Sequence, residues 1–109
     1  MTFRILVVNP GSTSTKVALF EDERPLLDIT LRHDYDTLRR YEHVADQMVW
    51  RRDLILGALA DHGYSAADLS AVVGRGGLTK PIEGGIYEVN EAMLHDLRNP
   101  WMEHACNLG

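Results

Sequence analysis

Apolar and polar positions along this chain follow a strand rhythm first and a helix rhythm later. Ile5-Leu6-Val7-Val8 is apolar on both parities, the pattern of a strand covered on both faces. Asn9-Pro10-Gly11 ends it with turn chemistry, since Pro presets φ and Gly permits a positive φ. A second strand is predicted from Ser12 to Phe20, antiparallel to the first. Its period of two puts Ser12, Ser14 and Lys16 on one face and Thr13, Thr15, Val17 and Leu19 on the other. Glu21-Asp22-Glu23-Arg24-Pro25 reads as a charged, solvated hairpin tip. Leu27, Ile29 and Leu31 then alternate with Asp28, Thr30 and Arg32, a half-exposed third strand.

The rhythm changes after this meander. Asp36 is placed to cap a helical turn through Leu38, Arg39 and Arg40. A longer helix is predicted from Tyr41 to His62, with Val44, Met48, Ile55 and Leu59 on one stripe and Gly63 as its stop. Trp50 lies off that stripe as a packing residue, and Arg51-Arg52 lie off it as a solvated pair. Ser65 to Asp68 has capping-box spacing for a short turn. Ala71-Val72-Val73 reads as a short buried strand running into Gly74-Arg75-Gly76-Gly77, and Ile86 to Val89 as a short extended piece. Asn90 is an N-cap for a helix from Glu91 to about Arg98, with Val89 and Leu94 spaced as a hydrophobic staple. The order βββαβ(β)α predicts an α/β fold: a mixed sheet with helices packed on it and ligand chemistry at its strand ends.

Composition narrows the function without naming it. A chain of 109 residues, 45% hydrophobic and 25% charged, makes one soluble domain at most. No apolar run approaches the roughly 20 residues that span a bilayer. Met1-Thr2-Phe3-Arg4 leads straight into the first strand without a signal-peptide core, so no membrane association and a cytoplasmic location are expected. Cys106 is the only cysteine and is expected as a small buried thiol, which excludes an internal disulfide and a cysteine-rich zinc site. A net charge of -5 argues against nucleic acid as a partner. A local site for a small anion needs only one or two cations and remains open.

Two loops carry such chemistry. A turn at Asn9–Ser12 can aim several backbone N–H groups at one anion, with hydroxyls from Ser12 and Ser14 and a point charge from Lys16. Asn9 offers a carbonyl oxygen to Mg²⁺ or its water shell. The stretch is not a Walker A loop, because no second glycine stands before Lys16. An ordinary hydroxyl-rich hairpin is the equal alternative. Arg75, flanked by glycines at the end of a strand, is free to grip a carboxylate or phosphoryl group with two N–H donors; a surface arginine on a flexible loop is its alternative. His104 by itself reads as a capping or packing histidine.

Residues 5–16 (ILVVNPGSTSTK) resemble the opening of butyrate kinases and their acetate kinase relatives. The segments VVGRGG at 72–77, KPIEGG at 80–85, YEVN at 87–90 and EHACNLG at 103–109 are similar to the butyrate kinase family in particular. The resemblance implies the N-terminal part of a two-domain protein with an RNase H-like core of the acetate/sugar kinase, Hsp70 and actin type. It implies transfer of the γ-phosphoryl group of ATP to a short-chain carboxylate, with Mg²⁺, in a homo-oligomer. It further places Asn9, Gly11, Ser12, Ser14 and Lys16 at the phosphate and Mg²⁺ site, and gives Arg75 and His104 to the carboxylate and the transferring group. Members of that family are much longer, so this chain is expected to be a truncated portion that is inactive alone.

Overall fold

A mixed four-strand sheet in the order β3-β2-β1-β4 forms the centre of the computed structural model, which describes residues 1–109. Its strands are β1 (Arg4–Pro10), β2 (Ser14–Glu21), β3 (Arg24–Arg32) and β4 (Ala71–Gly74). The helices are α1 (Tyr35–Leu38), α2 (Met48–Asp61) and α3 (Glu91–Arg98), with 3-10 turns at Val44–Gln47, Ala66–Asp68 and Ala105–Leu108. The first three strands form the antiparallel meander, whereas β4 lies parallel to β1. A parallel neighbour needs a long crossover, and the segment containing α2 supplies it.

The register divides the side chains cleanly. Leu6 faces Leu19, Val8 faces Val17 and Leu19 faces Leu27, and this face meets Ile55 and Leu59 of α2 to form the core. Asn9, Lys16, Thr30 and Ile5, Phe20 occupy the opposite face. The molecule is a slab 18 Å thick, the depth of a sheet and a single helical layer. Expected double coverage of β1 is therefore not observed. Its second face has no helix against it, and Ile5 and Val7 stay half-buried. The same geometry corrects β4, whose four residues are all exposed because it is the sheet's outer strand, with Val72 at 61%.

Local signals explain the ends of the elements and their departures from expectation. Asp34, not Asp36, takes the N-cap position of α1, and Asp36 instead pairs with Arg39 at 3.3 Å. The predicted helix 41–62 starts late. His43 and Asp46 form a capping box around the Val44–Gln47 turn, and regular α-helix begins only at Met48. Gly63 ends α2 at φ 83°, with the Gly63 N–H donating to Ala60 O and the Tyr64 N–H to Leu59 O, the two bonds of a Schellman motif. Trp50 packs as expected, its ring 4.9 Å from His33 and 5.8 Å from Tyr41. Asn90 caps α3 by accepting from the Met93 N–H at 2.9 Å, but Val89 is 62% exposed and closes no staple. Residues 86–89 pair with no strand.

Candidate anion-binding site

The β1–β2 connection is the tightest polar construction in the chain. Gly11 N–H donates to Ser14 O at 2.7 Å, closing the turn. Gly11 does not adopt the positive φ anticipated for it; its use is steric, because a Cβ there would press on Ser14 O at 3.2 Å. The N–H groups of Ser12 and Thr13 donate to nothing within the protein. Ser12 and Thr13 are exposed and Ser14 is half-buried. Beyond the tip, Asn9 lies directly opposite Lys16, so the amide and the ammonium stem share one sheet face with Ser14.

Arg75 arrives at the same place by the parallel pairing. Val8 pairs with Gly74, and the Arg75 N–H donates to Val8 O at 2.9 Å. Arg75 thus leaves β4 next to the end of β1, one residue past the paired stretch. The antiparallel pairing of β2 with β3 adds a further cation. Arg32 lies opposite Ser14, on the face that carries Lys16. Ion pairs elsewhere engage Arg4, Arg24, Arg39, Arg52, His43 and Lys80, and none engages Lys16, Arg32 or Arg75. Lys16, Arg32 and two free N–H groups thus share one end of the sheet, with the Arg75 backbone entering beside it, in a protein whose net charge is -5. This is the electrostatic profile of an anion site.

His104 stands at the N-cap of the Ala105–Leu108 turn, where its Nδ1 accepts from the Cys106 N–H at 3.1 Å. That bond puts the ring proton on Nε2 and leaves Nε2–H free as a donor. The capping role is thus observed, and the second nitrogen is still open to an oxygen ligand. The segment is held against the glycine loop. Asn107 Oδ1 accepts from the Leu78 N–H at 2.6 Å, and Gly109 lies against Gly74 and Arg75. A Cβ on Gly74 or Gly77 would run into this segment, which accounts for glycine at both positions. Cys106 is half-buried beside it.

Behind the turn lies a network that the sequence reading missed. Arg51, for which the sequence predicts a solvated position, is 4% exposed. Its Nη1 donates to Gly11 O at 2.7 Å and to Ser14 O and Thr15 Oγ1 at 3.2 Å, and its Nη2 reaches Ser12 O at 3.5 Å. Gln47 Oε1 accepts from Nε at 3.0 Å and from Nη2 at 2.8 Å. Thr15 Oγ1 in turn lies 2.8 Å from His33 Nε2. Burial, and then the Arg51 charge, hold the His33 pKa below its ordinary value. Arg52, by contrast, is exposed beside Asp53, as a solvated arginine should be. The missed signal was a period of four: Gln47, Arg51, Ile55 and Leu59 are all buried.

The oxygen donors at the turn are the Asn9 amide and the Ser12 and Ser14 hydroxyls, all neutral. Such a set suits Mg²⁺ only when phosphate oxygens supply most of its ligands, as they do for a nucleotide-bound ion. A groove of about 640 Å³ lies on the other side of the turn, between α2 and β4, lined by Leu6, Val8, Ile55, Leu69 and Val72. It is largely apolar, although Thr15, Arg51 and Arg52 also line it, and Lys16, Arg32 and Arg75 do not. No helix is long and apolar enough to cross a membrane. No protein-family model matches the chain.

Proposed function

We propose that this chain is the phosphate-binding, N-terminal portion of a butyrate kinase-like enzyme with an RNase H-like core. The enzyme moves the γ-phosphoryl group of Mg-ATP to a short-chain carboxylate such as butyrate, giving an acyl phosphate and ADP, and also runs in reverse. The observation that carries this reading is the turn itself: the free N–H groups of Ser12 and Thr13 beside Asn9 and Lys16, with the Arg75 backbone tied to Val8 at the end of β1. Phosphoryl transfer requires positioning and charge stabilisation more than covalent chemistry, and a carboxylate nucleophile is already ionised at neutral pH. The turn and Lys16 hold phosphate oxygens. Asn9 touches the Mg²⁺ shell, Arg75 binds the carboxylate and the transferring group, and His104 donates from Nε2 to that group. A nucleotide pocket and a second catalytic arm belong to the remainder of the enzyme, which works in the cytoplasm. The exposed, uncharged β4 edge favours assembly into a homo-oligomer.

The test is a titration of Mg-ATP into the ¹⁵N-labelled chain. Ser12 and Thr13 amide resonances should shift together, and Lys16→Ala or Arg75→Ala should weaken binding by about tenfold or more, the loss of one charged hydrogen bond. Unshifted turn amides, or shifts indifferent to Lys16→Ala, would remove the reading. Butyrate, ATP and hydroxylamine should yield no hydroxamate with this chain alone.

A further inference from the structure

Arg51 is a buried cation without an anion. Six contacts surround its guanidinium, and every acceptor is neutral: the carbonyls of Gly11, Ser12 and Ser14, the Thr15 hydroxyl, and Gln47 Oε1 used twice. No carboxylate lies within ion-pair distance of it. On its own helix Asp53 is taken by Arg52, and on the preceding turn Asp46 accepts from the His43 N–H. From the strand side it meets His33 through Thr15, and Lys16 lies on the opposite face of the sheet. Buried arginines ordinarily meet a carboxylate, because an uncompensated charge out of water is costly.

The carbonyls that Arg51 draws in fix what the turn presents outward. In a trans peptide the C=O of one residue and the N–H of the next point in opposite directions. Gly11 C=O turned towards Arg51 sends the Ser12 N–H away from it, and Ser12 C=O does the same for the Thr13 N–H. These are the two N–H groups without a partner.

We infer that Arg51 is a positioning residue of the anion site, orienting the Ser12 and Thr13 N–H groups and lending an uncompensated positive charge to the anion they bind. The role rests on the reading that the turn takes phosphate, and it explains why residue 47 is Gln. A glutamate four residues before Arg51 would complete an ordinary helical ion pair, stabilise the fold and cancel the charge.

That substitution is the test. Sodium tripolyphosphate is titrated into the full chain at low ionic strength, where charge effects are least screened, with the Ser12 and Thr13 amides as the readout. Gln47→Glu retains an oxygen where Oε1 accepts from Arg51, so the turn geometry persists while the charge is neutralised. The expected result is a higher melting temperature together with about tenfold weaker tripolyphosphate binding. Equal affinity in wild type and Gln47→Glu, or a lower melting temperature, would overturn the role of Arg51 and leave the anion site standing. No response in the wild type would remove the anion site and the inference together. Arg51→Lys, which keeps the charge but has too few donors for all the carbonyls, should bind at an intermediate level; wild-type affinity there would show that orientation by the guanidinium is not needed.

Discussion

Thr15→Val is the cleanest perturbation of the network that backs the turn. The two side chains are nearly the same shape, and Thr15 is 1% exposed in the central strand, opposite Pro10 and Leu31. Valine removes only the hydroxyl, which accepts from Arg51 Nη1 at 3.2 Å and lies 2.8 Å from His33 Nε2. His33 Nδ1 is already without a partner, so the substitution leaves both ring nitrogens buried and unsatisfied. A buried polar group that loses its partner costs about 1–3 kcal/mol, and the upper part of that range applies where a charged donor is involved. Valine's better strand propensity returns less than about 1 kcal/mol. The net expectation is a loss of about 1–3 kcal/mol, a large share of the 5–15 kcal/mol typical of small domains. Urea unfolding at neutral pH measures it, followed by circular dichroism and by the fluorescence of Trp50, whose ring packs on His33. An unchanged midpoint and slope, or a stabilised variant, would refute the claim that this hydroxyl satisfies buried partners.

Two further outcomes follow from the same geometry. The His33 pKa is lowered in the folded state by burial and by Arg51, so below the ordinary value the unfolded chain binds the extra proton. Stability is therefore full above about pH 6.5 and falls as the pH drops towards the folded pKa, by at most ~1.4 kcal/mol per pH unit from this group. His33→Gln should flatten that part of the curve in denaturant melts across about pH 5–7, and parallel curves for the two proteins would count against it. Gly77→Ala should displace the segment ending at Gly109, because its Cβ would meet Asn107, whereas a Cβ on Gly76 meets nothing within 4 Å. Amide exchange at Leu78, which donates to Asn107, should quicken in Gly77→Ala and not in Gly76→Ala; equal rates would deny the close approach.

Much of the architecture was legible because its signals are local. The alternation of Val17 and Leu19 with Lys16 and Ala18 is a direct record of two sheet faces, and it fixed the parity that puts Ser14 and Lys16 together. Asn90 and Gly63 marked helix ends through caps that involve only near neighbours. The same local logic misled at Arg51. Two adjacent arginines look equally polar, and only the helix phase set by Ile55 and Leu59 distinguishes the buried one from its exposed neighbour Arg52. The apolar run 71–73 likewise predicts a buried strand, since β-branched composition cannot tell a central strand from an outer one.

The sequence by itself determined the elements, the strand parity and the hydroxyl-rich turn, because each depends on residues a few positions apart. Tertiary structure alone decided that Arg32 faces Ser14 and that Arg75 enters beside the end of β1, since both depend on strand pairing. It also decided that Arg51 stands behind the turn with no acid to neutralise it. Its contacts with Gly11 and Ser14 span 40 and 37 residues. A charge far along the chain becomes part of a backbone turn only once α2 is packed on the sheet.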